Sequence, residues 1–179
     1  MKYESIADIF SANTKIREGL EIVLGGVSPE EASQIPDDGS WSIQKIVEHL
    51  ALVAGGAARI CTKLVDGARA DNKPADGSFT LSDEFNHRSE MAAAAKIEAP
   101  ERVVPSGEVP IAASIQNLAA AQAALESLRP DMESLDLSGH TFPHPFFGEL
   151  TAAEWLVIAG GHEVRHTLQI QRVLEQIRH

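Results

Sequence analysis

Apolar residues recur every three or four positions along four long stretches of the chain, the spacing that buries one face of an α-helix. The first predicted helix runs from about Tyr3 to Leu24, where Gly25 and Gly26 stop it. The other three run from near Ser42 past Leu64, from Pro110 to just before Pro130, and from Thr151 to about Gln176. The pattern predicts an all-α protein, a four-helix bundle that forms a single domain over residues 1–179.

The segments between these helices are less regular. A turn-rich connector from Ser28 to Ser40 joins the first two helices, and a short helix is predicted from Ser82 to about Ile97. Three prolines between Ala99 and Pro110 indicate irregular or extended chain there. If any short strand pairing exists, this is where we expect it.

The start of the last helix is strongly marked. Thr151 and Glu154 form a capping box, and Leu150 and Trp155 stand at the staple positions on either side of the cap. The apolar stripe of this helix therefore has a well-defined register. The stripe includes His162, which predicts an inward-facing imidazole.

His162 and His166 lie four residues apart, so one helix face can aim two imidazoles at one point. The pattern matches the H-E-x-x-H of zinc proteases, in which Glu163 would be the general base. The extended protease motif fails, however, because Gln169 and Arg172 stand where glycine and histidine are required. A third ligand must therefore come from upstream in the chain.

His49 is the best third ligand, because it lies within a predicted core helix that can face the last one. His87 lies in a weaker helix and is predicted to be a surface residue. Prolines around His140 and His144 exclude a regular helix, so these two either line the mouth of the site or are simply exposed. Protonated imidazole cannot ligate, so metal affinity is expected to fall below about pH 6.5.

Composition narrows the class of protein. A formal net charge of −11 without a Lys/Arg patch argues against a nucleic-acid partner. The apolar runs are too short to cross a membrane, and no basic, apolar leader is evident, so a soluble cytoplasmic protein is expected. One cysteine cannot form an internal disulfide.

Several local motifs together resemble the DinB/YfiT-like superfamily. They are Trp41-Ser42, Glu48-His49-Leu50, the run from His144 to Thr151, Glu154-Trp155, and His162, His166 and Gln169. The resemblance implies up-down-down-up connectivity with a long crossover between the second and third helices, and a homodimer, to which Phe10 of the first helix could contribute. It also implies a divalent metal on His49, His162 and His166. The additional short helix in the crossover departs from the family pattern.

The same resemblance implies an activity, since relatives include transferases and isomerases that use low-molecular-weight thiols. The first hypothesis is thus a metal-dependent, thiol-dependent S-transferase acting on a small electrophile, with zinc or nickel, or alternatively iron, as the metal. A metal-dependent hydrolase is the second hypothesis. The third is a non-catalytic bundle that binds a ligand or partner around a structural metal. Glu163, Glu48 and Gln169 are candidate acid–base or ligand-orienting groups without an assigned role.

Overall fold

The computed structural model describes residues 3–94 and 99–178, and four long helices dominate it. The helices are α1 Ile6–Gly25, α2 Pro29–Ser33, α3 Ile43–Asp71, α4 Asp83–Ala94, α5 Ile111–Ser127, α6 Arg129–Ser134 and α7 Ala152–Ile177. A 3₁₀ turn spans Glu101–Val103, and strands β1 (Phe142–His144) and β2 (Gly148–Leu150) form a small hairpin. The long helices α1, α3, α5 and α7 are the four that the hydrophobic pattern predicts.

Contacts at their ends show that α3 and α5 run parallel. Near the start of α3, the Gln44 amide donates to the Gly107 carbonyl, just before α5, at 2.8 Å. Near the end of α3, Arg69 donates to Asp131, just after α5, at 2.6 Å. Two parallel neighbours need a long connection, which residues 72–110 supply.

The other two long helices run in the opposite direction. In α1 the Asn13 amide donates to the Leu156 carbonyl of α7, and one turn later Arg17 binds Glu163, so α1 and α7 are parallel. The Cys61 thiol, late in α3, lies 3.8 Å from the carbonyl oxygen of Ala152 at the start of α7, so α3 and α7 are antiparallel. The connectivity is therefore up-down-down-up, as the resemblance implies.

The buried apolar residues form two clusters, and each cluster has members from α1, α3, α5 and α7. Ile9 and Phe10 of α1 are completely buried, and they belong to the same cluster as Leu150 and Trp155, the two residues flanking the cap of α7. Phe10 therefore has no surface to offer a second copy of the chain, and its suggested part in a dimer interface is wrong. No described helix is long and apolar enough to cross a membrane.

Three local predictions differ from the structure. The strand pairing lies in the 142–150 hairpin, where Gly148 takes φ +77° after a Pro-Phe-Phe turn, and not between Ala99 and Pro110. The connector after α1 contains the short α2, which Ser28 and Glu31 begin with a capping box. α5 ends at Ser127, before Pro130 as predicted, but Pro130 then stands in the first turn of the short α6, which the pattern does not predict and where its missing N–H costs nothing. The predicted end of the short helix near Ile97 lies outside the described residues.

Candidate metal centre

Three imidazoles meet between α3 and α7. His162 Nε2 lies 3.1 Å from His49 Nε2 and 3.2 Å from His166 Nε2. The three potential ligand atoms all lie within 4.8 Å of one another. Nitrogens bound tetrahedrally to zinc at about 2.0–2.1 Å are about 3.3 Å apart, so both measured separations are close to those of a ligand set.

The outer nitrogens of two of these histidines have fixed partners. Nδ1 of His49 lies 2.7 Å from the Val103 carbonyl oxygen, and Nδ1 of His166 lies 2.7 Å from Oε1 of Gln169. Both partner atoms are acceptors, so each Nδ1 carries the proton and each Nε2 presents its lone pair to the centre. The facing lone pairs of His49 and His166 can be met by an Nε2 proton of His162 or by a cation. A cation would take the lone pairs of all three imidazoles, so the residues present fit a metal ion.

Burial keeps the cluster neutral. His49 is 4% exposed and His166 is 9% exposed. Burial lowers the pKa of His49, although the hydrogen bond to Val103 opposes the shift. Burial also lowers the pKa of His166 to about 4, and burial together with its two neighbouring imidazoles lowers the pKa of His162 well below its usual value. In the folded chain, protons therefore begin to compete with a metal ion for these imidazoles only at a pH below the 6.5 expected from the sequence.

These shifts predict an acid-sensitive metal-free protein. A histidine whose folded pKa is depressed contributes stability above its unfolded pKa and loses it as pH falls towards the folded pKa. For His166 the window runs from about 6.5 down to about 4. We expect His166 alone to lower the unfolding free energy by about 2 kcal/mol between pH 7 and pH 5. Urea denaturation of the metal-free wild type and of His166→Gln at both pH values measures it, and an identical pH dependence in the two proteins would contradict the prediction.

The other candidate histidines are not among the three whose ring nitrogens converge. His87 is exposed on α4, as predicted. His140 contacts Asp71 on the surface, at 3.2 Å between Nε2 and Oδ2. His144 packs against Trp155 with ring centroids 5.1 Å apart, and its Nδ1 accepts hydrogen bonds from backbone N–H groups in the hairpin turn. His144 thus stabilises the hairpin and is not a fourth member of the cluster.

The three groups with unassigned roles all make specific contacts to the protein. Gln169 orients His166, as described above. Glu163 faces α1, where Arg17 donates to both of its carboxylate oxygens at 2.5 and 2.7 Å. An acid–base role for Glu163 would require breaking this buried ion pair.

Glu48 accepts three hydrogen bonds from the segment between the second and third long helices. One carboxylate oxygen accepts from the backbone N–H and hydroxyl of Ser106, at 2.9 and 2.8 Å, and the other accepts from the N–H of Gly107 at 2.8 Å. Burial alone would raise the pKa of Glu48, but these hydrogen bonds outweigh it and hold the pKa below its usual value. The carboxylate thereby fixes the stretch that carries Val103, the outer partner of His49.

Replacing Glu48 by glutamine should weaken metal binding by about tenfold, because outer partners of metal ligands typically contribute that much or more. The new amide NH₂ faces backbone N–H donors, which loosens the segment and its Val103 contact. Calorimetric titration with Zn²⁺ measures the change.

Glu154→Gln is a matched control for that experiment. Glu154 accepts in the same manner from the N–H and hydroxyl of Ser82, at 2.9 and 2.6 Å, but it lies in the first turn of α7, about two turns before His162. It should lower stability comparably while leaving zinc affinity unchanged. Equal zinc affinity in Glu48→Gln and wild type would exclude the proposed positioning effect.

Sequence reasoning did not identify two buried polar residues, Asn13 and Arg17 of α1, as site-facing. The sequence nevertheless contains a signal for both residues. Both stand at positions where the three-and-four repeat of the first helix requires apolar residues, so the repeat itself places them on the buried face. A polar residue there must find a partner across the core, and Glu163 is the partner of Arg17.

Comparisons with known proteins identify the family and the fold. A family model described as the DinB superfamily matches residues 12–170. An uncharacterised protein named YuaE from Bacillus subtilis (strain 168) is 28% identical over 159 residues, which cover 86% of this chain and 90% of that protein. A crystal structure of TT2238, described as a four-helix bundle protein, covers 94% of this chain and 99% of its own, at 24% identity and a TM-score of 0.61. The structural likeness confirms the bundle fold.

Proposed function

Because the chain belongs to the DinB superfamily, we propose that it is a metal-dependent enzyme whose divalent cation is held by His49, His162 and His166. The observation that carries the proposal is the convergence of three Nε2 atoms, two of them with Nδ1 bonded to an acceptor. Neutral imidazole suits zinc and nickel, with iron as a further candidate. Three protein ligands leave a coordination position open, which is typical of a catalytic centre and not of a structural one.

The reaction we propose is transfer of a low-molecular-weight thiol to a small electrophile. A divalent cation at the three histidines would supply Lewis acidity, which favours the thiolate form of a thiol at neutral pH. In the transfer, the thiolate sulfur forms a bond to the electrophilic carbon, and the leaving group departs with the bonding electrons or the electrophile takes up a proton. The thiol class is supported by the family resemblance, and the open ligand set is compatible with it.

The protein's own residues prepare the site for this chemistry. Val103 and Gln169 hold two imidazoles in the ligating tautomer. The indole of Trp41 lies 5.2 Å from the His49 ring, centroid to centroid, and helps to exclude water from it. Depressed pKa values keep the imidazoles unprotonated over the physiological pH range.

Elemental analysis of natively purified protein, followed by a thiol screen, tests the proposal. We expect about one divalent ion per chain, and thiol consumption with a model electrophile such as a chlorinated nitroarene that stops on chelation and returns with Zn²⁺ or Ni²⁺. Metal-dependent ester or amide cleavage without thiol consumption would replace the transferase with a hydrolase. Bound metal with neither activity across the screen would favour a non-catalytic bundle, and absence of metal would reject the centre itself.

We also propose a homodimer in the cytoplasm, where reducing conditions maintain free thiols. The resemblance supports the dimer, and exposed apolar side chains of α7, Val164 and Leu168, at 37% and 48% exposure, are available to a partner. Sedimentation velocity at micromolar concentration checks the assembly, and a monomer under those conditions would reject it.

A further inference from the structure

A small cavity lies beside the histidine cluster, bordered by residues of α1, α3, α5 and α7. Its volume is about 20 Å³, enough for one water molecule, which needs about 10–15 Å³ by the same measure. Five polar side chains border it, in addition to apolar ones: Asn13, Arg17, Gln122, His162 and Glu163. A cavity that contains so many polar groups favours hydration, since empty cavities are lined by apolar atoms.

Asn13 brings an unpartnered acceptor to this cavity. The side chain is 6% exposed, and its Nδ2 donates to the Leu156 carbonyl at 2.9 Å, which fixes the orientation of the amide. Its Oδ1 is buried and accepts no hydrogen bond from any described residue. A Cβ atom at Gly160 would lie 2.1 Å from this oxygen, so the space around Oδ1 depends on glycine at that position. A buried acceptor without a donor costs about 1–3 kcal/mol.

His162 brings the complementary donor. With Nε2 directed at His49 and His166, its Nδ1 must carry the proton if Nε2 is to offer a lone pair. Nδ1 of His49 and of His166 each has a protein acceptor, whereas within residues 3–94 and 99–178 none is found for Nδ1 of His162. The cavity is thus bordered by one residue that lacks a donor and one that lacks an acceptor.

We propose that the cavity is a binding site for one ordered water molecule that accepts from Nδ1–H of His162 and donates to Oδ1 of Asn13. The second O–H of the water is directed to Gln122 or Glu163, which border the same space. Asn13, on the first helix, then acts as a positioning residue for the third histidine through this water. The cavity and the Asn13 acceptor need no metal, while the Nδ1–H donor of His162 and the positioning role rest on the proposed metal centre.

The water itself is tested on metal-free wild-type protein by NMR. Cross-peaks between water and the protons of Gly160 and of the His162 ring, which border the cavity and are present in every variant, are expected with the sign of a long-lived bound water. They should disappear in Asn13→Leu, which has a similar volume and no acceptor. Their absence in wild type, or an empty cavity in a high-resolution crystal structure, would overturn the water site.

The positioning role is tested on zinc-loaded protein. In wild type, ¹⁵N ring shifts of His162 should report a protonated Nδ1, and Asn13→Leu should lose zinc affinity by about tenfold. Ser114→Ala is the matched control, because Ser114 Oγ is the other described buried side-chain atom without a partner and does not border the cavity. It should keep wild-type zinc affinity.

Unchanged zinc affinity in folded Asn13→Leu would overturn the positioning role. If Asn13→Leu fails to fold, Asn13→Asp, which retains an acceptor at this position, should keep the water cross-peaks, and their loss would count against the proposal. Failure of wild type to bind zinc would reject the metal centre and leave the water result standing.

Discussion

Replacing Arg17 by methionine should lower the free energy of unfolding by about 3–5 kcal/mol, because it leaves the Glu163 carboxylate buried without its counter-ion. Glu163 is 6% exposed, and both of its oxygens accept from Arg17. The same guanidinium donates to the Leu118 carbonyl of α5 at 3.2 Å, so the substitution also removes a bond between α1 and α5. Equilibrium urea denaturation gives the change in free energy.

The double variant Arg17→Met, Glu163→Leu is the informative control. Replacing a buried pair by apolar residues of similar volume is often neutral or stabilising, so the double variant should recover most of the loss. If Arg17→Met alone lowers the free energy of unfolding by less than about 1 kcal/mol, water reaches the Glu163 carboxylate and the ion pair does not behave as a buried one.

His49→Ala should lower zinc affinity by more than about 100-fold, since even outer partners of metal ligands contribute 10- to 100-fold. It removes the only ligand that α3 supplies, while His162 and His166 remain one turn apart on α7. Loss of the imidazole leaves two nitrogens and solvent to hold the ion. Competition against a chromophoric chelator measures the zinc affinity of His49→Ala and of wild type.

His87→Ala is the control for that measurement, because His87 is an exposed helical histidine outside the cluster. His144→Ala extends the control to a half-buried histidine of the hairpin, at the end of β1. Both should keep wild-type zinc affinity and far-UV circular dichroism. Full zinc binding by His49→Ala together with loss in either control would mean that the ligand set is built around a different histidine.

The predictable part of the molecule is the part that depends on local signals. Thr151 caps α7 as its neighbours Leu150 and Glu154 indicate, and both capping-box hydrogen bonds are present. Once the register of α7 is fixed, the position of His162 and His166 on one face follows from the geometry of the helix alone. His49 lies 113 positions before His162. Its pairing with the other two depends on the prediction that it lies in a core helix facing α7, and on the family resemblance.

The unpredictable part depends on partners that no local pattern specifies. The Val103 carbonyl bonds to His49, and Glu48 accepts from Ser106 in the same segment; neither bond follows from helix periodicity or turn composition. Hairpin pairing likewise formed at Gly148 and not among the prolines before α5, because those prolines lack N–H donors and the segment bonds to a side chain instead.

The parallel pairing of α1 with α7 also determines when the bundle can close during synthesis. Arg17 and Glu163 are 146 positions apart in the chain. At roughly 5–20 residues per second, the ribosome needs on the order of 10 s to deliver α7 after α1 has been made. Throughout this interval Ile9 and Phe10 lack the helix that buries them in the finished protein. Among the helices described, α1 is therefore the one for which a ribosome-associated chaperone would have the longest opportunity to bind.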